Sequence, residues 1–343
     1  MEFRDALTRI VSGRDLSREE AESVMRRVME GEATPAQLGA LLAALSTKGE
    51  SVDEIAGFAA ALRTFAVPVH VSAEAIDTCG TGGDAAGTFN ISTVSAIVCA
   101  GAGVPVAKHG NRAASSACGS ADVLEALGVR IDLGPEEVAR CVAEVGVGFM
   151  FAPRYHPAMK YAGPVRRELG VRTVFNVLGP LANPARVRRQ LLGVATPRLG
   201  ERMARVLGLL GADHVLVAHG EDGLDEISPC GPTRLHELRD GALLESVIRP
   251  EDFGLRSVRR DEIAGGDAAR NKAIAERILD GEDGAPRVAV LLNAGAALYV
   301  AGAAKNIRDG VEAAAGAIDS GAARRTLAHF VERSQALAPA ALA

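Results

Sequence analysis

Aromatic residues are scarce in this sequence: it contains no Trp, and Phe, Trp and Tyr together make up 3% of its 343 residues. A protein that binds single-stranded nucleic acid needs aromatic side chains on which the bases can stack, so that class of protein is disfavoured. The net charge of -5 also disfavours duplex binding, because such proteins usually present a basic face to the phosphates. We therefore expect no nucleic-acid partner.

The sequence also lacks a C-x-x-C pair, and its five cysteines are an odd number. Both features argue against a disulfide framework and a zinc site, and they favour a reducing compartment. Long apolar runs are missing from the N-terminus, where residues 1–15 (MEFRDALTRIVSGRD) mix charged with apolar side chains. This pattern indicates neither a signal peptide nor a membrane span, so we expect a cytoplasmic protein with no membrane partner.

What is present is typical of a globular enzyme: 48% hydrophobic residues, 24% charged residues and a length that favours two domains. Helix start signals occur at Ser17, Thr34 and Ser51, each with Glu or Gln three residues later and apolar residues at helical spacing beyond. Residues 1–70 are therefore predicted to form a small all-helical domain, completed by helices within about residues 164–190.

Residues 71–343 are predicted to form a large α/β domain, because short β-branched runs alternate with helical stretches. The predicted strands are residues 75–76, 105–107, 129–131, 190–194, 214–218 and 288–292. The predicted helices are residues 93–102, 121–127, 135–145, 164–169 and 199–210, followed by helices to the end. This alternation indicates a mainly parallel central sheet with flanking helices and ligand sites at the carboxyl ends of the strands.

A glycine-rich loop, GTGGD at residues 80–84, directly follows the first predicted strand. One interpretation is a tight turn. The other is a phosphate site, because glycine backbone can bring several N–H donors close to one anion. A dinucleotide fingerprint is excluded because Ala85 stands where a third glycine is needed, and a P-loop is excluded because Thr88, not Lys, follows Gly87.

Two further motifs follow: NIST at residues 90–93 and KHGNRAASS at residues 108–116. Each has a purely structural alternative, a helix cap for the first and a solvated basic turn for the second. Together with the glycine loop they predict one anion site, in which backbone N–H groups, hydroxyls and the Lys108 charge converge. Ser92 also offers a neutral oxygen to a hard divalent cation.

Taken in order, DTCGTGGD, NIST and KHGNRAASSACGSADVLEALG resemble the anthranilate phosphoribosyltransferase family, which shares its fold with the pyrimidine nucleoside phosphorylases. The later segments YHPAMK, PVRRELG and RTVFNVLGPLANP, within residues 155–184, are similar to the anthranilate branch specifically. The resemblance implies a glycosyltransferase of tryptophan biosynthesis. Its reaction would convert anthranilate and phosphoribosyl pyrophosphate into N-(5-phosphoribosyl)anthranilate and pyrophosphate. A homodimer is implied as well.

By this resemblance the anthranilate contacts are Gly80, His109, Asn111 and Arg166, with Arg166 on the carboxylate. The phosphoribosyl pyrophosphate contacts are Gly80, Gly83, Asp84, Thr88, Asn90, Ile91, Ser92, Thr93, Lys108, His109, Gly110, Asn111, Arg112, Ala113, Ala114, Ser115, Ser116 and Ser120. The Mg²⁺ ligands are Ser92, Asp225 and Glu226, with two ions per active site. No residue is expected to act as an obligatory general base, because the aniline nitrogen of anthranilate is already neutral at pH 7.

Arg167 and Arg172 are interpreted as ordinary surface or interdomain charges, and no site is assigned to residues 236–271. Two alternatives stay open. A pyrimidine nucleoside phosphorylase would use the same phosphate region with inorganic phosphate and a nucleoside. A non-catalytic relative would instead bind nucleic acid or a regulatory partner.

Overall fold

The computed structural model describes residues 1–113 and 117–338. Its first part is helical, with α1 (Phe3–Val11), α2 (Arg18–Glu30), α3 (Pro35–Lys48) and α4 (Val52–Phe65). The three predicted start signals are confirmed: Ser17, Thr34 and Ser51 each accept the N–H three residues on, and the Glu or Gln there accepts the cap residue's own N–H. Such a cap contributes about 1 kcal/mol, so local sequence sets where these helices begin.

A seven-stranded sheet follows the helices. Its strands are β1 (Ile76–Gly80), β2 (Val106–Gly110), β3 (Val147–Phe151), β4 (Arg189–Gly193), β5 (His214–Gly220), β6 (Thr233–Arg239) and β7 (Ala242–Ile248). The spatial order is β3-β2-β1-β4-β5-β6-β7. Strands β1 to β5 are parallel, while β6 and β7 pair antiparallel. The mainly parallel sheet is thus confirmed, and the carboxyl ends of β1 to β5 share one edge.

Helices cover the sheet and fill the rest of the chain. They are α5 (Ile91–Gly101), α6 (Ser120–Ala126), α7 (Pro135–Val145), α8 (Ala152–Tyr155), α9 (Gly163–Leu169), α10 (Phe175–Leu178), α11 (Pro197–Leu209), α12 (Ala268–Leu279), α13 (Ala285–Ala301), α14 (Ile307–Asp319) and α15 (Ala322–Leu337). Short 3₁₀ helices lie at Pro157–Lys160, Gly179–Leu181, Pro250–Phe253 and Arg260–Ile263. No helix in the described ranges is both long and apolar enough to cross a membrane.

Two predicted strands are wrong. Residues 288–292 lie inside α13, whose side chains are buried on almost every side, and a helix without a polar face shows the same apolar run as a buried strand. Residues 129–131 belong to none of the strands of the described chain, and the Arg130 N–H donates to Ser334 Oγ of α15 at 3.0 Å.

Three strands were missed. Strand β3 is one of them, and the hairpin of β6 and β7 supplies the other two, between the predicted strands at residues 214–218 and 288–292. The hairpin turn is Asp240-Gly241, with φ of 51° and 78°. An Asp-Gly pair between two alternating runs is a strong hairpin signal, so this turn was recognisable from the sequence.

Buried apolar side chains form two clusters. The first packs the sheet against α5 and α13 and includes Ile76, Val94 and Leu292. The second joins α1 to α4 with α9, α10, α11 and residues of β4 and β5, and includes Phe58 and Val165. The crossover segment at residues 163–182 therefore shares its core with the N-terminal helices.

Candidate active site

The candidate site lies in the crevice at the carboxyl ends of β1 and β4, where the strand order reverses along the chain. Gly80 and Gly193 are paired neighbours at these ends. A Cβ at Gly193 would lie 1.5 Å from Asp225 O, and a Cβ at Gly80 would lie 2.2 Å from Asp225 Oδ2. Glycine at both positions therefore lets the loop after β5 bring Asp225 against the end of β1.

Carboxylates gather in this crevice. Asp225 Oδ2 accepts the Gly82 N–H at 2.6 Å, which joins the acidic pair to the glycine loop. Burial and then the charge of Asp84 raise the pKa of Asp225, while burial and then the charge of Asp225 raise the pKa of Glu226. Ionisation of both carboxylates is therefore unfavourable in this crevice, and a bound cation would favour their charged forms.

The donor chemistry suits Mg²⁺, which prefers oxygen ligands and often combines one or two carboxylates with substrate phosphates. Within residues 1–113 and 117–338, no group of three or more His, Cys, Asp or Glu side chains could hold a metal ion by itself. Positions for substrate or water oxygens would therefore complete the coordination. Ser92 Oγ accepts from Lys108 Nζ at 3.3 Å and retains a second lone pair for a cation.

Lys108, in β2, is almost fully buried. Its ammonium donates to Thr78 O as well as to Ser92 Oγ. Burial raises the pKa of the neighbouring Asp77, and the Lys108 charge opposes that rise. In the part of the chain that is described, no carboxylate oxygen lies within 4.0 Å of Lys108 Nζ, so its charge is available to an anionic ligand.

The glycine loop is held in a shape that most residues avoid. Left-handed backbone occurs at Gly82, Gly83, Ala85 and Gly87. For Ala85, with φ of 54°, that conformation costs about 1–2 kcal/mol. Arg172 Nη1 donates to Gly83 O at 3.2 Å, and Arg172 O accepts from Ser46 Oγ of α3 at 3.1 Å. Arg172 therefore links α3 to the glycine loop, which agrees better with the expected interdomain role than with a free surface charge.

The far end of the glycine loop is clamped by residues 263–271, to which no site was assigned. The Gly265 N–H donates to Gly87 O at 2.8 Å, and the Phe89 N–H donates to Ile263 O at 3.3 Å. A Cβ at Gly265 would lie 2.6 Å from Thr88 O, so the two backbones are in close contact. The predicted contact Thr88 is therefore positioned by a distant part of the chain.

The NIST segment begins α5. Asn90 is the N-cap residue, but its side chain makes no capping hydrogen bond among the described residues, so a simple helix cap does not explain it. Ile91 and Thr93 are buried, and the Ile91 side chain belongs to the apolar core, which leaves its backbone for any ligand. Ser92 O accepts from Thr78 Oγ1 at 3.0 Å, which fixes the start of α5 against β1.

The basic loop after β2 is only partly available to a ligand. Arg112 forms ion pairs with Asp122 at 2.9 Å and Glu125 at 2.8 Å, so carboxylates already neutralise its charge. The Ala113 N–H donates to Asp122 Oδ2 at 3.0 Å. Three predicted contacts, Ala114, Ser115 and Ser116, lie outside the described residues.

Helix α6 approaches the end of β2 closely. A Cβ at Gly110 would lie 2.2 Å from Ser120 Oγ, and this hydroxyl donates to Asn111 O at 3.2 Å. The predicted contacts Gly110, Asn111 and Ser120 therefore lie together at the end of this strand.

A cavity of about 630 Å³ opens beside these loops. All four predicted anthranilate contacts line it, namely Gly80, His109, Asn111 and Arg166. Lys108, Asp225 and Glu226 are not part of its lining. Because Gly80 lines the cavity and also lies against Asp225, the cavity and the acidic crevice are neighbours.

Arg166 lies in α9 and is partly buried, and burial lowers the pKa of its guanidinium. Its Cζ lies 5.0 Å from the centroid of the Phe175 ring. No Asp or Glu oxygen of the described chain lies within 4.0 Å of the guanidinium. An unpaired guanidinium beside an aromatic wall suits a planar aromatic carboxylate, which can accept two parallel hydrogen bonds.

Two buried imidazoles also line the cavity, His109 and His156, with ring centroids 5.0 Å apart. Burial lowers the pKa of His109 to about 3 and that of His156 to about 4, so both rings are neutral at pH 7. Among the described residues, neither Nε2 atom has a hydrogen-bond partner. His156 was not among the predicted contacts, and its only sequence signal was its place in YHPAMK.

The sequence matches two models of a glycosyl transferase family, the helical bundle domain over residues 4–66 and the a/b domain over residues 72–324. An anthranilate phosphoribosyltransferase from Chloroflexus aggregans is 54% identical over 98% of this chain and 99% of its own length.

Solved structures give the same result. The anthranilate phosphoribosyltransferase of Thermus thermophilus is 45% identical, has a TM-score of 0.92 and covers 96% of this chain and 99% of its own. The Saccharomyces cerevisiae enzyme in complex with PRPP and Mg is 26% identical, has a TM-score of 0.89 and covers 97% and 98%. Because these relatives are named for the anthranilate branch, the nucleoside phosphorylase and non-catalytic alternatives are not favoured.

Proposed function

This chain belongs to the anthranilate phosphoribosyltransferase family, and on that premise we propose how its own residues perform the reaction. The enzyme transfers the phosphoribosyl group of phosphoribosyl pyrophosphate to the amine of anthranilate, in tryptophan biosynthesis. The products are N-(5-phosphoribosyl)anthranilate and pyrophosphate. One bond forms, between the amine nitrogen and the anomeric carbon, and the bond to the pyrophosphate oxygen breaks, so that pyrophosphate leaves with the electron pair. The nitrogen then loses one proton, to the leaving pyrophosphate or to solvent.

The phosphate half of the site binds phosphoribosyl pyrophosphate through the glycine loop, the start of α5 and the loop after β2. Lys108 supplies the positive charge, because no carboxylate of the described chain pairs with it. Arg112 contributes less charge than the sequence implied, because Asp122 and Glu125 already neutralise it.

Mg²⁺ is the cofactor that fits the acidic crevice, and a yeast relative has been solved with PRPP and Mg. We place one ion near Ser92 and a second near Asp225 and Glu226. Bound Mg²⁺ neutralises the charge of the pyrophosphate as it leaves. The raised pKa values of Asp225 and Glu226, caused mainly by burial, support this placement because a bound cation would favour the ionised form of both carboxylates.

The cavity binds anthranilate. Arg166 holds the carboxylate and thereby directs the ortho amine, while Asn111 and His109 lie beside it. With a pKa of about 3, His109 is a poor general base at neutral pH. The aniline nitrogen needs no deprotonation before it attacks, so the residues act by positioning the two substrates and by excluding water.

The observation that carries this proposal is the unpaired Arg166 guanidinium in a cavity that shares Gly80 with the acidic crevice. Mixing the purified chain with anthranilate, phosphoribosyl pyrophosphate and Mg²⁺ should abolish anthranilate fluorescence and release one pyrophosphate per anthranilate consumed. Omitting any component should prevent both changes. Unchanged fluorescence, combined with cleavage of a pyrimidine nucleoside in inorganic phosphate, would instead establish the phosphorylase alternative.

We further propose a helical domain of residues 1–70, completed by helices within about 164–190, and an α/β domain of residues 71–343. Helices α9 and α10 share an apolar cluster with α1 to α4, which supports their place in the helical unit, and the same cluster continues into α11, β4 and β5. Closure between the two units would seal the cavity. The Arg172 contact to Gly83 already joins the crossover segment to the glycine loop.

A homodimer through the helical unit and a cytoplasmic location are also proposals. The leucines of α3, Leu38, Leu41, Leu42 and Leu45, are buried inside the chain's own core, so they offer no apolar surface to a second copy. Light scattering on the purified protein tests the dimer.

A further inference from the structure

A chain of side-chain amides links three distant segments beneath the phosphate half of the site. Asn271 of α12 is 2% exposed, and its Oδ1 accepts the Gly266 N–H at 2.8 Å. Its Nδ2 donates to Asn90 Oδ1 at 2.8 Å. Asn90 Nδ2 donates in turn to Cys118 O at 3.1 Å. The two hydrogen-bonded amides therefore lie between two backbone groups, the Gly266 N–H at one end and the Cys118 carbonyl at the other.

These end groups fix the orientation of both amides. The Gly266 N–H can only donate and the Cys118 carbonyl can only accept. Reversing Asn271 would place its NH₂ against the Gly266 N–H, and reversing Asn90 would place its oxygen against the Cys118 carbonyl. Each reversal would place two donors or two acceptors against each other in a part-buried place, where an unsatisfied polar group costs up to about 1–3 kcal/mol.

The fixed orientation determines which group of the Asn90 amide remains for a ligand. Its oxygen accepts from Asn271 Nδ2 and from Cys118 Sγ, the latter at 3.4 Å, so both lone pairs are engaged. Its nitrogen carries two hydrogens, and one of them bonds to Cys118 O. Among residues 1–113 and 117–338, no other acceptor bonds to that nitrogen, which leaves one N–H for a ligand.

We propose that Asn271 is a positioning residue for phosphoribosyl pyrophosphate, because it turns the Asn90 amide so that an N–H donor is presented to the anion. The proposal rests on the placement of Asn90 in the phosphoribosyl pyrophosphate half of the site. An anion needs a donor, and a reversed Asn90 would offer a carbonyl oxygen that repels it. Asn271 itself needs no contact with the substrate.

A double-mutant cycle on Asn90→Ala and Asn271→Ala tests this role. Phosphoribosyl pyrophosphate binding is measured by calorimetry with Mg²⁺ present, and the KM values for both substrates by loss of anthranilate fluorescence. Asn271→Ala should weaken phosphoribosyl pyrophosphate binding roughly tenfold or more, while the KM for anthranilate changes less than about twofold. In the Asn90→Ala background, Asn271→Ala should add less than about twofold. Additive losses, or equal losses for both substrates, would overturn the proposal.

Asn271→Asp provides the isosteric variant and replaces Asn271→Ala in the cycle if the alanine variant does not fold. Its carboxylate can accept from both the Gly266 N–H and Asn90 Nδ2, which reverses the Asn90 amide. Binding should then weaken at least as much as in Asn271→Ala. Asn306→Asp is the matched control, because Asn306 is an exposed cap that accepts the Asp309 N–H and Asp caps helices equally well.

The two proposals fail differently. If the wild-type chain does not bind phosphoribosyl pyrophosphate, the proposed function is wrong. If it binds normally and both Asn271 variants bind equally well, only the role of Asn271 is wrong.

Discussion

Replacing Arg166 with Ala removes the only predicted anthranilate contact that carries a positive charge. The guanidinium lines the cavity and lies over the Phe175 ring at 5.0 Å. Charge-assisted hydrogen bonds of this kind contribute about 1.5–3 kcal/mol each. The expected loss is therefore roughly 2–3 kcal/mol in transition-state binding, or about 30- to 150-fold in kcat/KM for anthranilate.

Arg166→Ala should not destabilise the folded chain in the way that truncation of an ordinary buried side chain does. Arg166 is partly buried, and no carboxylate of the described residues offsets its charge. Its desolvation is a cost to the folded state, while the contact with Phe175 returns only about 0.5–1 kcal/mol. The Tm of Arg166→Ala should thus stay within about 2–4 °C of wild type, or rise.

Steady-state kinetics followed by anthranilate fluorescence separate the two substrates. The KM for phosphoribosyl pyrophosphate should stay nearly constant in Arg166→Ala. Arg167→Ala is the matched control, because it removes the same charge from the next, exposed residue and should leave both KM values unchanged. Arg166→Lys should recover little activity, since an ammonium cannot make the paired contact of a guanidinium. Equal losses for the two substrates, or an equal effect in Arg167→Ala, would refute the role of Arg166.

Three further changes test other parts of the site. Asp225→Asn should raise the Mg²⁺ concentration needed for half-maximal activity. Glu221, on the same loop, has a side chain that is 47% exposed, and Glu221→Gln should leave that concentration unchanged. Identical magnesium titrations for the two variants would show that Asp225 is not a ligand. Burial lowers the pKa of His156 to about 4, below the usual value near 6.5, so the free energy of unfolding should fall as the pH drops from about 6.5 towards 4. In urea unfolding, His156→Gln should lose less of this free energy between pH 7 and 5 than the wild-type chain does. Gly193→Ala would place Cβ 1.5 Å from a backbone oxygen and should lower the free energy of unfolding by several kcal/mol. Gly316 lies in α14 with open space around its Cα, so Gly316→Ala should raise the free energy of unfolding by about 0.5–1 kcal/mol.

Local sequence was sufficient for helices with caps, but it could not separate a buried strand from a buried helix. The cap at Ser17 depends on residues within one helical turn, so its prediction needed no knowledge of the fold. The error at residues 288–292 arose because α13 is buried almost all round, which removes the polar face that distinguishes a helix. The hairpin of β6 and β7, in contrast, is indicated by the sequence itself, because Asp240-Gly241 is a turn pair that favours a hairpin.

The same division holds for the site. Motifs that follow strands could be expected to lie together, because parallel strands bring their carboxyl ends to one edge, and Gly80, His109 and Asn111 line one cavity. Arg166 also lines this cavity, but it lies in α9, and only the family resemblance indicated it. The clamp at residues 263–271 was not predictable in this way. Its hydrogen bonds are made largely by backbone groups, as at Gly265, and any residue type offers those groups.

The distribution of unbalanced charge gives an independent reason to assign the two substrates to the two halves of the site. The cavity contains an unpaired cation, Arg166, and the crevice contains buried carboxylates whose pKa values are raised. Both imbalances destabilise the folded chain, and ligands that correct them bind the folded state selectively. Arg166 calls for an anion beside an aromatic wall, which anthranilate supplies. Under the proposed function, Asp225 and Glu226 would repel a free pyrophosphate, and the metal complex of the diphosphate is the form expected to bind there. Anthranilate should therefore raise the Tm of the chain without Mg²⁺, while phosphoribosyl pyrophosphate should do so strongly only with Mg²⁺ present. A thermal shift by phosphoribosyl pyrophosphate of equal size in EDTA would contradict this assignment.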